Sequence, residues 1–142
     1  MNRERNMIEI ILEKHDGLLW GRVEDKGSYM PTPYGKNKAA VIANLKELIG
    51  DYTKNEGKKD PFWSRIDLEN AEIYFAYDLE AYFKEHDYLK IGSVAKEAGL
   101  NAGLVRQYAS GVKFPSADQV KKIHGAIQKI ALELQADLIY AG

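Results

Sequence analysis

Val94-Ala95-Lys96-Glu97-Ala98-Gly99-Leu100-Asn101-Ala102-Gly103-Leu104-Val105-Arg106 is the stretch on which the reading of this chain turns. Two helices joined by a tight turn cross closely, so a small residue must stand where they touch; Ala95 is placed for that. The turn needs left-handed backbone, which Gly99 adopts without steric cost. An apolar plug follows at Leu100, and Val105 takes the buried position of the second helix. All four scaffold residues fall at the offsets that a helix-turn-helix demands.

In such a motif the second helix lies in the major groove of DNA, with its N-terminal part toward the base edges. The surface expected there comprises Ala102, Gly103, Arg106 and Gln107. Arg106 has the geometry to read guanine, and Gln107 to read adenine. Ala102 and Gly103 are small enough for close approach or for contact with a thymine methyl. Lys113 is expected on phosphate, with Lys96 and Lys121 as further candidates. Helical hairpins with glycine turns also serve as plain structural units, and in that reading Arg106 is a solvated charge.

Outward from the motif the C-terminal part reads as purely helical. Asp78 is expected to cap a helix over 79–86, with Leu79, Tyr82 and Phe83 inward. The first motif helix is expected over 94–98. Asn101 caps the second, which runs to Ser110 and stops at Gly111. Ser116-Ala117-Asp118-Gln119 has capping-box form and opens a long last helix. There Val120, Ile123, Ile127, Ile130 and Leu134 step by three and four. The first three are assigned to the local core. Ile130, Leu134 and Leu138 lie beyond it and are expected to form a homodimer or higher homo-oligomer.

The front part has a different rhythm. Ile8, Ile10 and Leu12 alternate with Glu9, Ile11 and Glu13, which is strand periodicity. Lys14-His15-Asp16-Gly17 is hairpin chemistry, and Leu18 to Val23 is the return strand, with Leu18 and Trp20 on one face. Tyr29-Met30 is expected as a short third strand, ended by Pro31-Thr32-Pro33. Asn37 caps a helix running to about Tyr52, whose apolar face is Val41, Leu45, Leu48 and Tyr52. Lys54 to Lys59 reads as a loop, and Glu72 to Tyr77 as a strand. The fold class is therefore an α+β N-terminal domain, β-β-β-α-β, over 1–77, followed by an all-α helix-turn-helix domain over 78–142.

Composition narrows the partners. From Met1 to Tyr88 there are 13 Lys+Arg and 17 Asp+Glu, a balance of −4; from Leu89 to Gly142 there are 7 and 4, a balance of +3. A basic rear part is compatible with nucleic acid. The absence of cysteine excludes disulfides and thiolate metal sites, and it fits a cytoplasmic location. No apolar run has the length of a membrane span, and no signal-peptide core follows the N-terminus.

Two resemblances join these parts. Tyr108-Ala109-Ser110-Gly111-Val112-Lys113-Phe114-Pro115-Ser116 resembles the end of the recognition helix and the start of the next helix in Cro-type (Xre-like) DNA-binding domains. The likeness covers roughly residues 89–127. The short hairpin, the Pro-containing loop, Tyr34-Gly35 and the helix Ala39-Ala40-Val41-Ile42-Ala43-Asn44-Leu45 look like the HicB antitoxin family. That family joins a truncated ribonuclease-H-like domain to a C-terminal DNA-binding domain, here of the helix-turn-helix branch. The resemblance implies an antitoxin whose front domain masks a small ribonuclease toxin, HicA-like, and whose rear domain represses transcription at a double-stranded DNA operator. Val23-Glu24-Asp25-Lys26-Gly27 stands where the family carries Phe-Pro-Asp, and Lys36-Asn37 where it carries an acid and Thr. Toxin-facing residues are therefore not carried over. A stand-alone Xre-like regulator with a sensing or dimerising front domain is the alternative.

No chemistry is expected. Glu9 and Glu13 share a strand face, but no third carboxylate completes a two-metal cluster. His15, His86 and His124 do not form a metal-ligand pair at helical spacing, and no Gly-rich phosphate loop follows a strand. The expectation is no catalytic residue, no metal and no cofactor. Trp20, Tyr74, Phe75 and Tyr77 suit a sheet that stacks bases, but alternation assigns about half of them to the core, and exposed ones also suit a protein partner.

Overall fold

A computed structural model describes residues 6–142. The chain divides into two compact units, Met1–Asp78 and Leu79–Gly142. Among the described residues the first holds a four-stranded sheet and one helix, and the second holds four helices.

In the first unit β1 (Met7–His15) turns through Asp16-Gly17 into β2 (Leu18–Arg22). Both turn residues have positive φ, 53° and 77°, the backbone of a type I′ hairpin whose twist matches its strands. β3 (Tyr34–Gly35) pairs with β2, and β4 (Glu72–Tyr77) runs parallel to β1, giving the order β3-β2-β1-β4. A parallel partner requires a crossover, and α1 (Lys38–Lys54) lies within it. Asn37 caps α1 by accepting the Ala40 N–H at 2.8 Å. The α1 stripe Val41, Leu45 and Ile49 is buried in one cluster with Ile8, Ile10 and Leu12. Leu48 and Tyr52 are only half-buried, so the true stripe steps by four and passes between them.

The third strand corrects the expectation. It begins after the prolines, at Tyr34, not at Tyr29-Met30. Pro31 and Pro33 already run beside β2, accepting the Val23 and Gly21 N–H groups through their carbonyls. A proline lends an acceptor to a ladder but no donor, so it fits this edge position. The Tyr29 carbonyl is turned elsewhere and accepts from Trp63 Nε1 at 2.9 Å. Leu19 and Val23 face the core, whereas Trp20 points to the opposite, open side.

The connection from α1 to β4 is held by Asp60, buried although it is a carboxylate. It accepts from the backbone N–H of Ser28 (2.9 Å), Phe62 (2.9 Å) and Trp63 (2.8 Å) and from the Tyr52 hydroxyl (2.8 Å). Burial alone raises its pKa, but these four donors outweigh it and hold the carboxyl at about 2. The same contact, first among several causes, raises the Tyr52 pKa. Trp63 then packs at 2% exposure in the core. Gly27 passes so close that a Cβ there would collide with the Asp60 carboxylate.

In the second unit α2 (Leu79–Glu85), α3 (Ile91–Ala98), α4 (Ala102–Ala109) and α5 (Ala117–Ala136) enclose Phe83, Val94, Ala95, Val105, Tyr108 and Ile123. Ser116 caps α5 by accepting the Gln119 N–H. Three expectations change. α3 starts at Ile91, not Val94, although Lys90 supplies no side-chain cap. Val120 is 39% exposed, and Ala126 takes the buried place beside Ile123. α5 ends at Ala136, and Asp137 is extended, so Leu138 lies outside the helix. No helix among the described residues is long and apolar enough to cross a membrane.

Candidate nucleic-acid interface

The pair α3–α4 is positioned by its turn. Gly99 closes α3 with φ 70° and ψ 30°. Its N–H reaches the Lys96 carbonyl at 3.1 Å, and the Leu100 N–H reaches the Ala95 carbonyl at 2.9 Å. These two bonds form a Schellman motif, which satisfies carbonyls that a helix end leaves open. Leu100 then packs against the unit core. Asn101 accepts the Leu104 N–H at 3.2 Å and starts α4. Ala95 and Val105 are fully buried, so a methyl sits where the two helices meet. The four scaffold residues Ala95, Gly99, Leu100 and Val105 are brought together as one structural element.

The residues expected to face DNA are not equally presented. Gly103, Arg106 and Lys113 are exposed. Gln107 is half-buried, and its carbonyl accepts the N–H groups of Val112 and Lys113, which ties the loop after α4 to the helix end. Ala102 is half-buried and packs against the core, so its methyl belongs to the scaffold. Arg106 leans back over α3: Nη2 lies 3.5 Å from the place a Cβ on Gly92 would occupy.

Lys129 is paired with Glu97 at 3.3 Å, and Lys84 with Glu80 at 2.8 Å. Among the described residues no carboxylate pairs with Lys90, Lys96, Arg106, Lys113, Lys121 or Lys122. Lys113, held to the end of α4 by its own N–H on the Gln107 carbonyl, can take a phosphate oxygen without first breaking an ion pair. Phe114, 87% exposed, stands next to Lys113 in the same loop. Sequence reasoning passed over it, although a Lys-Phe-Pro run between two helices is where an exposed aromatic would show.

The residues assigned to self-association separate. Ile130 packs against the unit core. Leu134 is 71% exposed on the last turns of α5, beside exposed Leu132. Leu138 is exposed in the extended tail. Glu9 and Glu13 lie on β1; Glu13 pairs with Arg22 and His15. Among the described residues no group of three or more His, Asp or Glu is arranged to hold a metal ion. Compared with known proteins, the chain matches no family model, no curated protein and no solved structure.

Proposed function

We propose that the chain is an antitoxin of the HicA/HicB type, a two-headed binding protein without chemistry of its own that acts in the cytoplasm. Leu79–Gly142 serves as an Xre-like helix-turn-helix domain that represses transcription, and Met1–Asp78 as a truncated ribonuclease-H-like domain that masks a small ribonuclease. One observation carries the DNA-binding half: the Schellman turn at Gly99 fixes α4 against α3, and Arg106 on α4 is exposed, with no carboxylate paired to it among the described residues. In this reading α4 enters the major groove, Arg106 reads a guanine, and Gln107 contributes from a less exposed position. Gly103 lets the backbone approach, and Lys113 takes phosphate. The β-β-β-α-β order of the first unit supports the ribonuclease-H-like reading of the front domain. Exposed Leu134 supports self-association, which would set two α4 helices on two half-sites.

The test is fluorescence anisotropy of the full chain on the promoter DNA upstream of its own gene. Arg106→Ala is expected to weaken specific binding by about 1–3 kcal/mol and relax one base position. Wild-type affinity of Arg106→Ala would refute the assignment. Operator binding without binding of a ribonuclease encoded by the adjacent gene leaves a stand-alone Xre-like regulator.

A further inference from the structure

We infer that the open face of the first unit's sheet docks a protein partner of basic surface, anchored by Trp20 and Tyr34. The inference rests on the proposed masking of a ribonuclease and deepens it by naming the face and the chemistry. α1 packs on the sheet side that carries Ile8, Ile10 and Leu12. The strand registers put Glu9, Ile11 and Glu13, Trp20 and Arg22, Tyr34, and Glu72 and Tyr74 on the other side. There Trp20, Tyr34 and Tyr74 are 41%, 49% and 50% exposed. Trp20 and Tyr34 are cross-strand partners whose rings stack at 4.9 Å and 19°. Each ring orders the other, so the pair offers a large contact area at a small further entropic cost.

An exposed aromatic pair on a sheet also suits nucleic-acid bases. Charge decides between the two occupants. Among the described residues Glu9, Glu13, Glu24 and Asp25 gather at this face with two cations, Arg22 and Lys26. The Arg22 guanidinium already donates to Glu24 Oε1 at 2.8 Å and to Glu13 Oε1 at 3.2 Å, and the Glu24 contact, first among its causes, raises the Arg22 pKa. Four carboxylates against two cations, one of them already held by Glu13 and Glu24, repel a phosphate backbone and attract a cationic protein surface. Beside them lies a depression of about 230 Å³ in whose lining Met7 and Ile11 stand with Glu9, Glu24, Asp25 and Lys26. It suits one long basic side chain: the stem rests on Met7 and Ile11, and the head lies between Glu9 and Glu24.

The test uses the full chain and the purified small basic protein encoded by the adjacent gene, with affinity measured by calorimetry. Acrylamide quenching gives a second readout, because Trp20 is exposed and Trp63 is buried. Trp20→Ala, and separately the double variant Glu9→Lys/Glu24→Lys, are expected to weaken binding about tenfold or more. The wild-type association rate should fall as salt rises, and binding should protect Trp20 from acrylamide. Retained Trp63 emission shows that each variant keeps its fold. Both variants binding as tightly as wild type overturns this inference and leaves the masking reading intact. No binding by the wild-type chain overturns the masking reading and this inference with it. Protection of Trp20 by a single-stranded oligouridine instead of the basic protein makes the face a base-stacking platform and also overturns the inference.

Discussion

Replacing Asp60 by Asn tests how the first unit is held together. The carboxylate accepts three backbone N–H groups and the Tyr52 hydroxyl. Its pKa falls from 3.8 to about 2 in the folded state. At about 1.36 kcal/mol per unit, the charged form is favoured by about 2 kcal/mol over the protonated one. Asn keeps one acceptor oxygen but turns an NH2 group toward donors, which adds about 1 kcal/mol or more. The expected loss for Asp60→Asn is therefore about 2–4 kcal/mol. Urea unfolding followed by tryptophan emission isolates the effect, because Trp20 and Trp63 both lie in Met1–Asp78. The pH dependence has a definite sign. A depressed carboxylate pKa stabilises the fold above the unfolded value of 3.8, and this contribution disappears as pH falls from about 4 to about 2. Wild type and Asp60→Asn should differ fully at pH 7 and converge through that window. A loss of only a few tenths of a kcal/mol at pH 7, or a difference that persists unchanged at pH 2, would refute the reasoning.

Three further outcomes are expected. Ala95→Leu overfills the α3–α4 crossing and should cost about 1–3 kcal/mol; an unchanged thermal midpoint by circular dichroism at 222 nm would mean that the helices do not meet there. Lys113→Ala should weaken binding to specific and non-specific DNA alike and lower the salt slope of log K by about 1; an unchanged slope removes Lys113 from phosphate. Leu134→Glu should lower the oligomeric state measured by gel filtration with light scattering, and an unchanged oligomer refutes self-association through this surface. Ile130 is the poorer site for that test because it packs in the core.

What could be read from the sequence follows the range of the forces involved. The β1 alternation, the Asp16-Gly17 hairpin, the Asn37, Asn101 and Ser116 caps and the Gly99 stop are local. Each is decided within a few residues: the caps by a side-chain oxygen on an N–H three residues on, and the turn and the stop by positive φ at Asp16, Gly17 and Gly99. β3 was displaced because its position depends on which carbonyls face β2, and Tyr29 is claimed by Trp63, distant in sequence. Val120 fits the heptad spacing, yet Ala126 is the residue the neighbouring helices bury. Asp60-Pro61 carried an unused signal, since Asp before Pro is how a helical turn is capped; that it would also collect Ser28 and Tyr52 depends on tertiary approach. At the candidate interface the scaffold was legible because steric demands are strict. The exposure of the readers was not, since periodicity does not say that Ala102 packs inward.

The parallel pairing of β1 with β4 bears on how the chain acquires its form during synthesis. Met7 must wait for Glu72, 65 residues later, before its strand gains that neighbour. At roughly 5–20 residues per second this takes roughly 3–13 s. In that interval the future partner edge of β1 is an open template for another nascent strand. The helices of Leu79–Gly142 join neighbours close in the chain and close quickly once exposed. A chain made on a crowded messenger would thus complete its rear unit soon after it emerges, while its front unit bears most of the risk of mispairing with its siblings.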